Sequence, residues 1–137
     1  MKKVLIDGVF DLFHYGHMKL FKKIKESNDY IIVAGIISDK DVESYKRVPI
    51  LTMEERALMV ESCKYVDEVI INCPLMITKE FVKENNIDLV YHAHSEDEHE
   101  KYLNLSYKIV DDMGIFRRVD YTPGISTTDI INRCKNK

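Results

Sequence analysis

The chain has 137 residues, 45% of them hydrophobic and 31% charged, with a formal net charge of −3 at pH 7. These values are typical of one globular domain with its own core, and they exclude a strongly basic surface that recruits nucleic acid. The three cysteines fit neither a disulfide framework nor a zinc motif, and no apolar run approaches the ~18 residues that a membrane span needs. We therefore expect a cytoplasmic protein without a membrane-spanning segment.

Short β-branched runs alternate with helical patterns along the chain. The predicted strands are residues 4–6, 30–37, 68–71, 89–91 and 116–119. The predicted helices are residues 17–26, 53–63, 78–85, 99–113 and 127–135. Capping boxes at residues 52–55 and 126–129 mark the starts of the second and the last helix. This alternation predicts one domain over residues 1–137 with an α/β, Rossmann-like fold, in which helices flank a doubly wound parallel sheet of five strands.

Residues 6–18 form the most informative segment, between the first strand and the first helix. The chain turns at Gly8, and His14 and His17 follow where the helix begins. A helix N-terminus offers unpaired N–H groups and a positive dipole potential, and two imidazoles add further donors. Because ligands of parallel sheets bind at the carboxyl ends of strands, this segment predicts a site for nucleotide phosphates. The alternative is a turn that carries two surface histidines.

The same segment resembles a known family. His14-Tyr15-Gly16-His17 matches the HxGH motif of the nucleotidyltransferase superfamily, and Asp7-Gly8-Val9-Phe10-Asp11 is similar to the G-x-F-D lead-in of its cytidylyltransferase branch. The resemblance is strongest to the choline-phosphate and ethanolamine-phosphate cytidylyltransferases, and weaker to the bacterial glycerol-3-phosphate enzyme. It continues in register at residues 38–39, 46, 52–56, 64–69 and 124–128.

The resemblance implies an enzyme that transfers CMP from CTP to a phosphoalcohol for phospholipid synthesis, with Mg²⁺ accompanying CTP. The implied catalytic residues are His14, His17 and Lys46. The implied nucleotide-binding residues are Gly8, Val9, Phe10, Gly16, Arg56, Gly124, Ile125, Ser126, Thr127 and Thr128. The implied acceptor-binding residues are Asp11, Leu75, His92 and His94, and no resident metal site is expected. A homodimer is implied around residues 64–69, where Lys64 and Asp67 either organise the interface or contact CTP.

The chemistry of that reaction agrees with these residue types. A phosphomonoester has a second pKa near ~6, so the acceptor is largely dianionic at pH 7 and needs no strong general base. Several negative charges must converge, and charge develops on the leaving pyrophosphate. Positioning and charge stabilisation by N–H, hydroxyl and ammonium groups therefore carry the catalysis.

Some of these assignments have structural alternatives. A solvated surface lysine would look like Lys46 in sequence. Arg56 either binds nucleotide or pairs with a carboxylate. Residues 126–128 cap a helix, and we expect them to serve the site as well. Asp7 and Asp11 offer carboxylates to a magnesium ion, but we favour a loop-holding role for Asp11.

His92 and His94 lie at the end of the fourth predicted strand, just before an acidic run. We expect the two side chains to point to opposite faces of the sheet, with one of them toward the site. Together with residues 96–99 they resemble a metal cluster, but we favour a solvated helix start for this run.

Two departures from the family bear on the substrates. Leu75 lies where the choline enzymes carry tryptophan, and His92-Ala93-His94 replaces their H-D-D triplet. Tyr91, Tyr102 and Tyr107 are candidates for an aromatic cage, which a quaternary ammonium prefers. A primary ammonium prefers hydrogen-bond acceptors, so we favour phosphoethanolamine over phosphocholine, with glycerol 3-phosphate as a further alternative.

The second departure concerns the nucleotide. Tyr121 occupies the position of an arginine that the family directs to the triphosphate, with Arg117 and Arg118 as candidate substitutes. CTP remains the preferred nucleotide, and ATP stays open. These changes also leave open a different class of function, a nucleotide-binding module that has lost catalysis.

Overall fold

The computed structural model describes all 137 residues and contains a five-stranded sheet. Its strands are β1 (Lys3–Gly8), β2 (Ile31–Ile37), β3 (Glu68–Cys73), β4 (Leu89–Ala93) and β5 (Phe116–Val119). All neighbouring pairs are parallel, and the strand order is β3-β2-β1-β4-β5. The predicted α/β, Rossmann-like sheet of five parallel strands is confirmed.

Seven α-helices connect and cover the strands. They are α1 (Tyr15–Ser27), α2 (Asp39–Glu43), α3 (Met53–Glu61), α4 (Lys79–Glu84), α5 (His99–Tyr102), α6 (Lys108–Asp112) and α7 (Thr127–Lys135). The capping box of α3 is confirmed, because Thr52 and Glu55 each accept from the backbone N–H of the other, at 3.2 and 2.9 Å. The structure adds α2, which the sequence pattern did not predict.

The predicted helix over residues 99–113 is a continuous helical segment made of α5, a π-helical turn and α6. A π-helical turn, Leu103–Tyr107, separates α5 from α6, and a 3-10 turn, Glu96–Glu98, precedes α5. A π turn inserts an extra residue into a helix and often lies at a functional site. Here it ends on Tyr107, whose side chain enters the cleft described below.

The core lies on both faces of the sheet, with β1 at its centre. Val4 and Ile6 pack with α1 and α3 in one cluster, whereas Leu5 packs with the helical segments after β3 and β4 in the other. All three side chains are fully buried, and each contributes about 1.5–3 kcal/mol by leaving water. This burial on both faces explains why β1 reads as a continuous apolar run.

The helices that cover the two faces of the sheet separate between β1 and β4, where the strand order reverses. The chain runs outward from β1 to β2 and β3, and then returns to place β4 on the other side of β1. A crevice opens at such a switch point, outside the carboxyl ends of the strands, and it positions the candidate site. None of the helices is both long and apolar enough to cross a bilayer.

Candidate functional site

A cleft of about 520 Å³ occupies the crevice. Its walls come from the end of β1 and the loop after it, the loop after α2, the end of β4, the π turn and the start of α7. This volume lies within the range of small-molecule sites in proteins. The cleft therefore gathers most of the predicted site residues, which are distant in sequence.

His14 and His17 hold each other at the start of α1. The backbone N–H of Gly16 donates to His14 Nδ1 at 3.1 Å, and that of His14 donates to His17 Nδ1 at 3.2 Å. Because each Nδ1 accepts a hydrogen bond, each neutral ring carries its proton on Nε2. The rings stack with centroids 3.7 Å apart. Both residues line the cleft, so the pair provides N–H donors at a helix N-terminus.

Burial keeps this pair neutral. Desolvation, then the neighbouring His14 and Lys46, lowers the pKa of His17 to about 3. Desolvation also lowers the pKa of His14. At pH 7 the two rings are therefore hydrogen-bond donors without a full charge.

Gly16 lets two segments approach each other closely. A Cβ atom at this position would lie 2.8 Å from Ile125 Cγ2 and 2.9 Å from His14 Cε1. The hydroxyls of Tyr15 and Thr122 reach across the same junction to backbone carbonyls, each at 3.4 Å. The second glycine of the junction, Gly124, has a φ of +88° and does not itself line the cleft.

Asp11 holds the loop between β1 and α1. Phe10 and Leu12 have φ values of 54° and 49°, which is uncommon for residues with a side chain. The carboxylate of Asp11 accepts from the backbone N–H groups of Leu12, Ile50 and Leu51 at 3.1, 2.7 and 2.9 Å. This geometry favours the loop-holding interpretation of Asp11 over acceptor binding.

Arg56 lies behind the cleft and does not line it. Its side chain is fully buried, and its guanidinium donates to the carbonyls of Val9, Ile37 and Leu51 at 2.7, 2.8 and 3.1 Å. It also pairs with Asp39 at 2.7 Å. The expectation that Arg56 contacts nucleotide is therefore corrected, because its donors already join three loops of the site.

Lys46 and its neighbour Arg47 enter the cleft from the loop after α2. Partial desolvation, then Arg47 and Lys101, lowers the pKa of Lys46. Arg47 donates to Thr128 Oγ1 at 3.1 Å, at the start of α7. Sequence reasoning missed Arg47, although it lies beside the predicted loop lysine.

The start of α7 forms the opposite wall. Ser126 caps the helix by accepting from the backbone N–H of Asp129 at 3.0 Å. Thr127 donates its hydroxyl to the carbonyl of Asp11 at 3.0 Å, which ties this wall to the first loop. Ile125, Ser126, Thr127 and Thr128 all line the cleft, so the segment both caps a helix and faces the site.

Neither candidate substitute for the missing arginine reaches the cleft. Arg117 donates to carbonyls within its own turn, and Arg118 donates to Asp120 at 2.7 Å and to the carbonyl of His94 at 2.8 Å. Tyr121 does line the cleft, with its hydroxyl bonded to Glu98 at 3.1 Å. The basic residue beside the start of α7 is Arg47.

Asp7 is the functional candidate that sequence reasoning assigned only weakly. Its carboxylate lies at the end of β1, is 2% exposed and lines the cleft. Oδ1 accepts from the hydroxyl of Tyr107 at 2.8 Å, whereas Oδ2 is the one buried side-chain oxygen or nitrogen without a hydrogen-bond partner. Burial raises the pKa of Asp7 to about 7. An orphaned carboxylate oxygen in a cleft is suited to a cationic ligand.

The second group of histidines lies at the end of β4. His92 lines the cleft, and its Nδ1 is 2.8 Å from Nδ1 of His94, whose Nε2 is 2.9 Å from Nδ1 of His99. The prediction of opposite faces is wrong, because residues i and i+2 of a strand lie on the same face, and the backbone N–H of His94 still donates to the neighbouring strand at Val119, at 3.1 Å. His94 is fully buried and does not line the cleft, which corrects its acceptor-binding assignment. No group of three or more His, Cys, Asp or Glu side chains is arranged to hold a metal ion.

Burial also keeps His92 and His94 neutral. Desolvation, then His94 and Lys46, lowers the pKa of His92 to about 3. Desolvation, then His99 and Arg118, lowers the pKa of His94 to about 4.

Leu75 follows β3 and does not line the cleft, so its acceptor-binding assignment is also corrected. The aromatic side chains of the cleft come from elsewhere. Tyr45, Tyr102, Tyr107 and Tyr121 line it, whereas Tyr91 does not. Lys64 and Asp67 lie outside it as well, and Asp67 instead accepts from Lys25 and from the backbone of Ile32.

Comparisons with known proteins agree with this geometry. The family model described as cytidylyltransferase-like matches residues 5–133. A probable ethanolamine-phosphate cytidylyltransferase of Encephalitozoon cuniculi is 40% identical over 97% of this chain and 41% of its own length. Choline-phosphate cytidylyltransferase A of Mus musculus is 39% identical over 96% of this chain and 36% of its own. The chain thus spans about two fifths of the length of these relatives.

The fold also has a solved counterpart. The lipopolysaccharide core biosynthesis protein from Thermoplasma volcanium superposes with a TM-score of 0.66 over 89% of this chain and 98% of its own, at 23% identity. At that identity the likeness shows the fold alone.

Proposed function

Since this chain belongs to the cytidylyltransferase-like family, we propose that it transfers CMP from CTP to phosphoethanolamine, which gives CDP-ethanolamine and pyrophosphate for phospholipid synthesis. The observation that carries the proposal is one cleft that joins a cluster of anion-binding donors to a single orphaned carboxylate, that of Asp7. The donors suit the phosphates of both substrates, and the carboxylate suits the amine of the acceptor.

The nucleotide half is the wall formed by the starts of α1 and α7. His14 and His17 present Nε2–H groups, and Lys46 brings a full positive charge from a loop. Arg47, bonded to Thr128, supplies a guanidinium where the family directs an arginine from position 121. These groups neutralise the triphosphate and the charge that develops on leaving pyrophosphate.

The proposed step is an in-line displacement. An oxygen of the acceptor phosphate forms a bond to the α-phosphorus of CTP, and the bond from that phosphorus to the bridging oxygen breaks. Pyrophosphate leaves with the electron pair. Because the acceptor is already dianionic near pH 7, the cleft contributes position and charge stabilisation and no general base.

The acceptor half is the floor of the cleft, between β1 and β4. A primary ammonium has three N–H donors, and Asp7 Oδ2 is an acceptor without a partner. Tyr107 holds the carboxylate in place through Oδ1. His92, at the end of the neighbouring strand, has Nε2 available for the acceptor phosphate.

Phosphocholine is the second candidate acceptor. The observation that favours it is the presence in the cleft of Tyr45, Tyr102 and Tyr107, whose ring faces attract a quaternary ammonium. Glycerol 3-phosphate carries no cation and offers Asp7 only neutral hydroxyl donors, so this carboxylate argues against it.

Mg²⁺ would enter with CTP as part of the substrate. The cleft offers mainly N–H, hydroxyl and ammonium groups toward the nucleotide, and these donors suit phosphate rather than a cation. Magnesium binds readily to phosphate oxygens and keeps several waters, so no protein cage is required.

A cytoplasmic homodimer completes the proposal. The family resemblance supports an interface around residues 64–69, which lead into the edge strand β3. Exposed apolar side chains lie nearby, on β3 at Ile71 and on α3 at Leu58 and Met59, with 49%, 66% and 47% of their surface accessible. Sedimentation equilibrium tests this arrangement, and a monomer at micromolar concentration overturns it. The three cysteines are free, as a reducing compartment favours.

One assay decides among the functions. Pyrophosphate release is measured with Mg²⁺, with CTP or ATP, and with phosphoethanolamine, phosphocholine or glycerol 3-phosphate. We expect the highest kcat/KM for CTP with phosphoethanolamine. A preference for phosphocholine overturns the choice of acceptor, and a preference for ATP overturns the choice of nucleotide. Release with no pair, while CTP still binds, identifies a nucleotide-binding module without catalysis.

A further inference from the structure

Three imidazoles form a continuous hydrogen-bonded series from the cleft to its exterior. His92 Nδ1 meets His94 Nδ1 at 2.8 Å, and His94 Nε2 meets His99 Nδ1 at 2.9 Å. His92 Nε2 makes no hydrogen bond within the protein. It is also not buried, because the one buried side-chain oxygen or nitrogen without a partner is Asp7 Oδ2. His92 Nε2 is therefore open to the cleft. His99 does not line the cleft and is partly buried, so the far end of the series meets solvent.

A series of three neutral rings has only two self-consistent arrangements of its protons, because each ring carries one N–H and each contact needs one. In the first, His94 donates through Nδ1 to His92 and His99 donates through Nδ1 to His94, which leaves the proton of His92 on Nε2. In the second, every donor and acceptor is reversed, and His92 presents a bare Nε2 to the cleft. The central ring thus couples the outer two.

A phosphate dianion distinguishes between the two arrangements. Its oxygens only accept hydrogen bonds, so it favours the arrangement in which His92 presents an N–H. We propose that His94 and His99 are positioning residues that hold His92 as an Nε2–H donor to the phosphate of the acceptor. The inference rests on the proposed function only for the identity of that phosphate.

Packing gives the central ring a fixed position. The ring of His94 stacks on Tyr102, with 5.0 Å between the ring centroids and 22° between the ring planes. It also stacks on Phe116, with 6.1 Å between the centroids and 8° between the planes. The guanidinium of Arg118 donates to the backbone carbonyl of His94 at 2.8 Å. The ring is fully buried, so no water competes for its two nitrogens. The two ring nitrogens of His94 therefore bond only to His92 and His99.

Nuclear magnetic resonance of the histidine ring nitrogens tests the proton arrangement without any turnover. The probe is inorganic phosphate, titrated into the 15N-labelled protein without nucleotide. We expect saturating phosphate to leave His92 as the Nε2–H tautomer, with His94 and His99 as Nδ1–H tautomers. A mixed tautomer of His92 at saturating phosphate, or no response of His92 to phosphate, overturns the proposal.

Two pairs of variants separate hydrogen bonding from packing. His94→Phe keeps an aromatic ring in the stack but removes both links, whereas Phe116→Leu disturbs the stack and keeps both links. His99→Leu removes the outer link, and His99→Asn retains an amide that can replace Nδ1. We expect a mixed tautomer of His92 in His94→Phe and in His99→Leu, and the single tautomer in Phe116→Leu and in His99→Asn.

Kinetics provide the second readout. In His94→Phe and His99→Leu the KM for the acceptor should rise about two- to threefold, because only the molecules with the proton of His92 on Nε2 are competent to bind, with the KM for CTP unchanged. His99→Asn should restore the wild-type KM. Equal KM increases for both substrates, or no difference between His99→Leu and His99→Asn, overturn the proposal. If no substrate pair releases pyrophosphate, the proposed function fails, and the tautomers still decide the role of the series.

Discussion

The site contains two groups of histidines whose tautomers are set in different ways. At the start of α1, the tautomers of His14 and His17 are set by backbone N–H groups, which cannot reverse. At the end of β4, the tautomer of His92 is set by two further imidazoles, which can exchange donor and acceptor roles. The fixed group lies in the proposed nucleotide half, where the HxGH motif is kept and the family arginine is replaced by Tyr121. The reversible group lies in the proposed acceptor half, where His92-Ala93-His94 departs from the family.

This contrast suggests how one fold keeps its chemistry and changes its substrate. A donor set made by the backbone survives side-chain changes elsewhere, so the proposed triphosphate site keeps its donors. A donor set made by side chains changes when any member changes. The following variants break the two halves separately, in order of decreasing expected effect.

Lys46→Ala removes the lysine charge of the proposed nucleotide half. We expect kcat to fall by about 10²–10³, the range for loss of a group that stabilises transition-state charge, with the fold unchanged. Lys40→Ala, an exposed lysine on α2 outside the cleft, is the matched control. Unchanged turnover in Lys46→Ala refutes the role of this lysine.

His14→Asn tests whether the fixed group depends on an imidazole. Asparagine is a good N-cap and can still accept from Gly16, so α1 should keep its start, but the Nε2–H donor is lost. We expect kcat to fall about 10²-fold with little change in the melting temperature. Full activity in His14→Asn would show that capping is the whole role of His14. His14→Ala removes both the donor and the cap, so an equal fall in kcat in the two variants would show that the donor alone matters for turnover. The contrast with His99→Asn, which should retain function, measures the difference between the two groups.

Asp7→Asn tests the acceptor half. We expect the KM for phosphoethanolamine to rise at least about tenfold at pH 8, because a hydrogen-bonded ion pair is lost, with the KM for CTP unchanged. In the wild type this KM should fall as pH rises through about 7, where Asp7 ionises. The phosphate of the acceptor also changes its charge in this pH range, and it does so with both proteins. The pH profile of Asp7→Asn therefore shows the contribution of the acceptor phosphate alone. Identical pH profiles would exclude pairing between Asp7 and the amine.

Arg47→Met keeps the length of the side chain and removes its charge. Because Arg47 is exposed and its partner Thr128 is neutral, we expect only a three- to tenfold increase in the KM for CTP, by about 1 kcal/mol of lost binding. The matched control is Arg133→Met on α7, whose guanidinium pairs with Asp129 outside the cleft. Equal effects of the two substitutions would remove Arg47 from the nucleotide half.

Local patterns were sufficient for the fold and for the nucleotide half. The apolar runs gave all five strands, and the HxGH segment directly after β1 could be placed at the switch point. Tertiary contacts decided the rest. The orphaned oxygen of Asp7 exists because Tyr107 reaches only one side of the carboxylate, and Tyr107 is aimed there by a π turn that has no sequence signature. The contact between His92 and His94, by contrast, follows from the period of two of a strand, and the sequence was sufficient to predict it.

The same Asp7 predicts a small effect on stability that is confined to the acceptor half. In the unfolded chain this carboxyl ionises near its ordinary pKa of 3.8, whereas burial raises the native pKa to about 7. The native state therefore holds its proton more tightly, and the free energy of unfolding should fall as pH rises through this window. Between pH 5 and pH 8 the wild type should lose about 2–3 kcal/mol relative to Asp7→Asn, which has no proton to release. Urea unfolding at the two pH values measures the difference, and the exposed Asp111→Asn should run parallel to the wild type. Parallel curves for the wild type and Asp7→Asn would mean that the orphaned oxygen is solvated and does not bind the amine as a buried carboxylate.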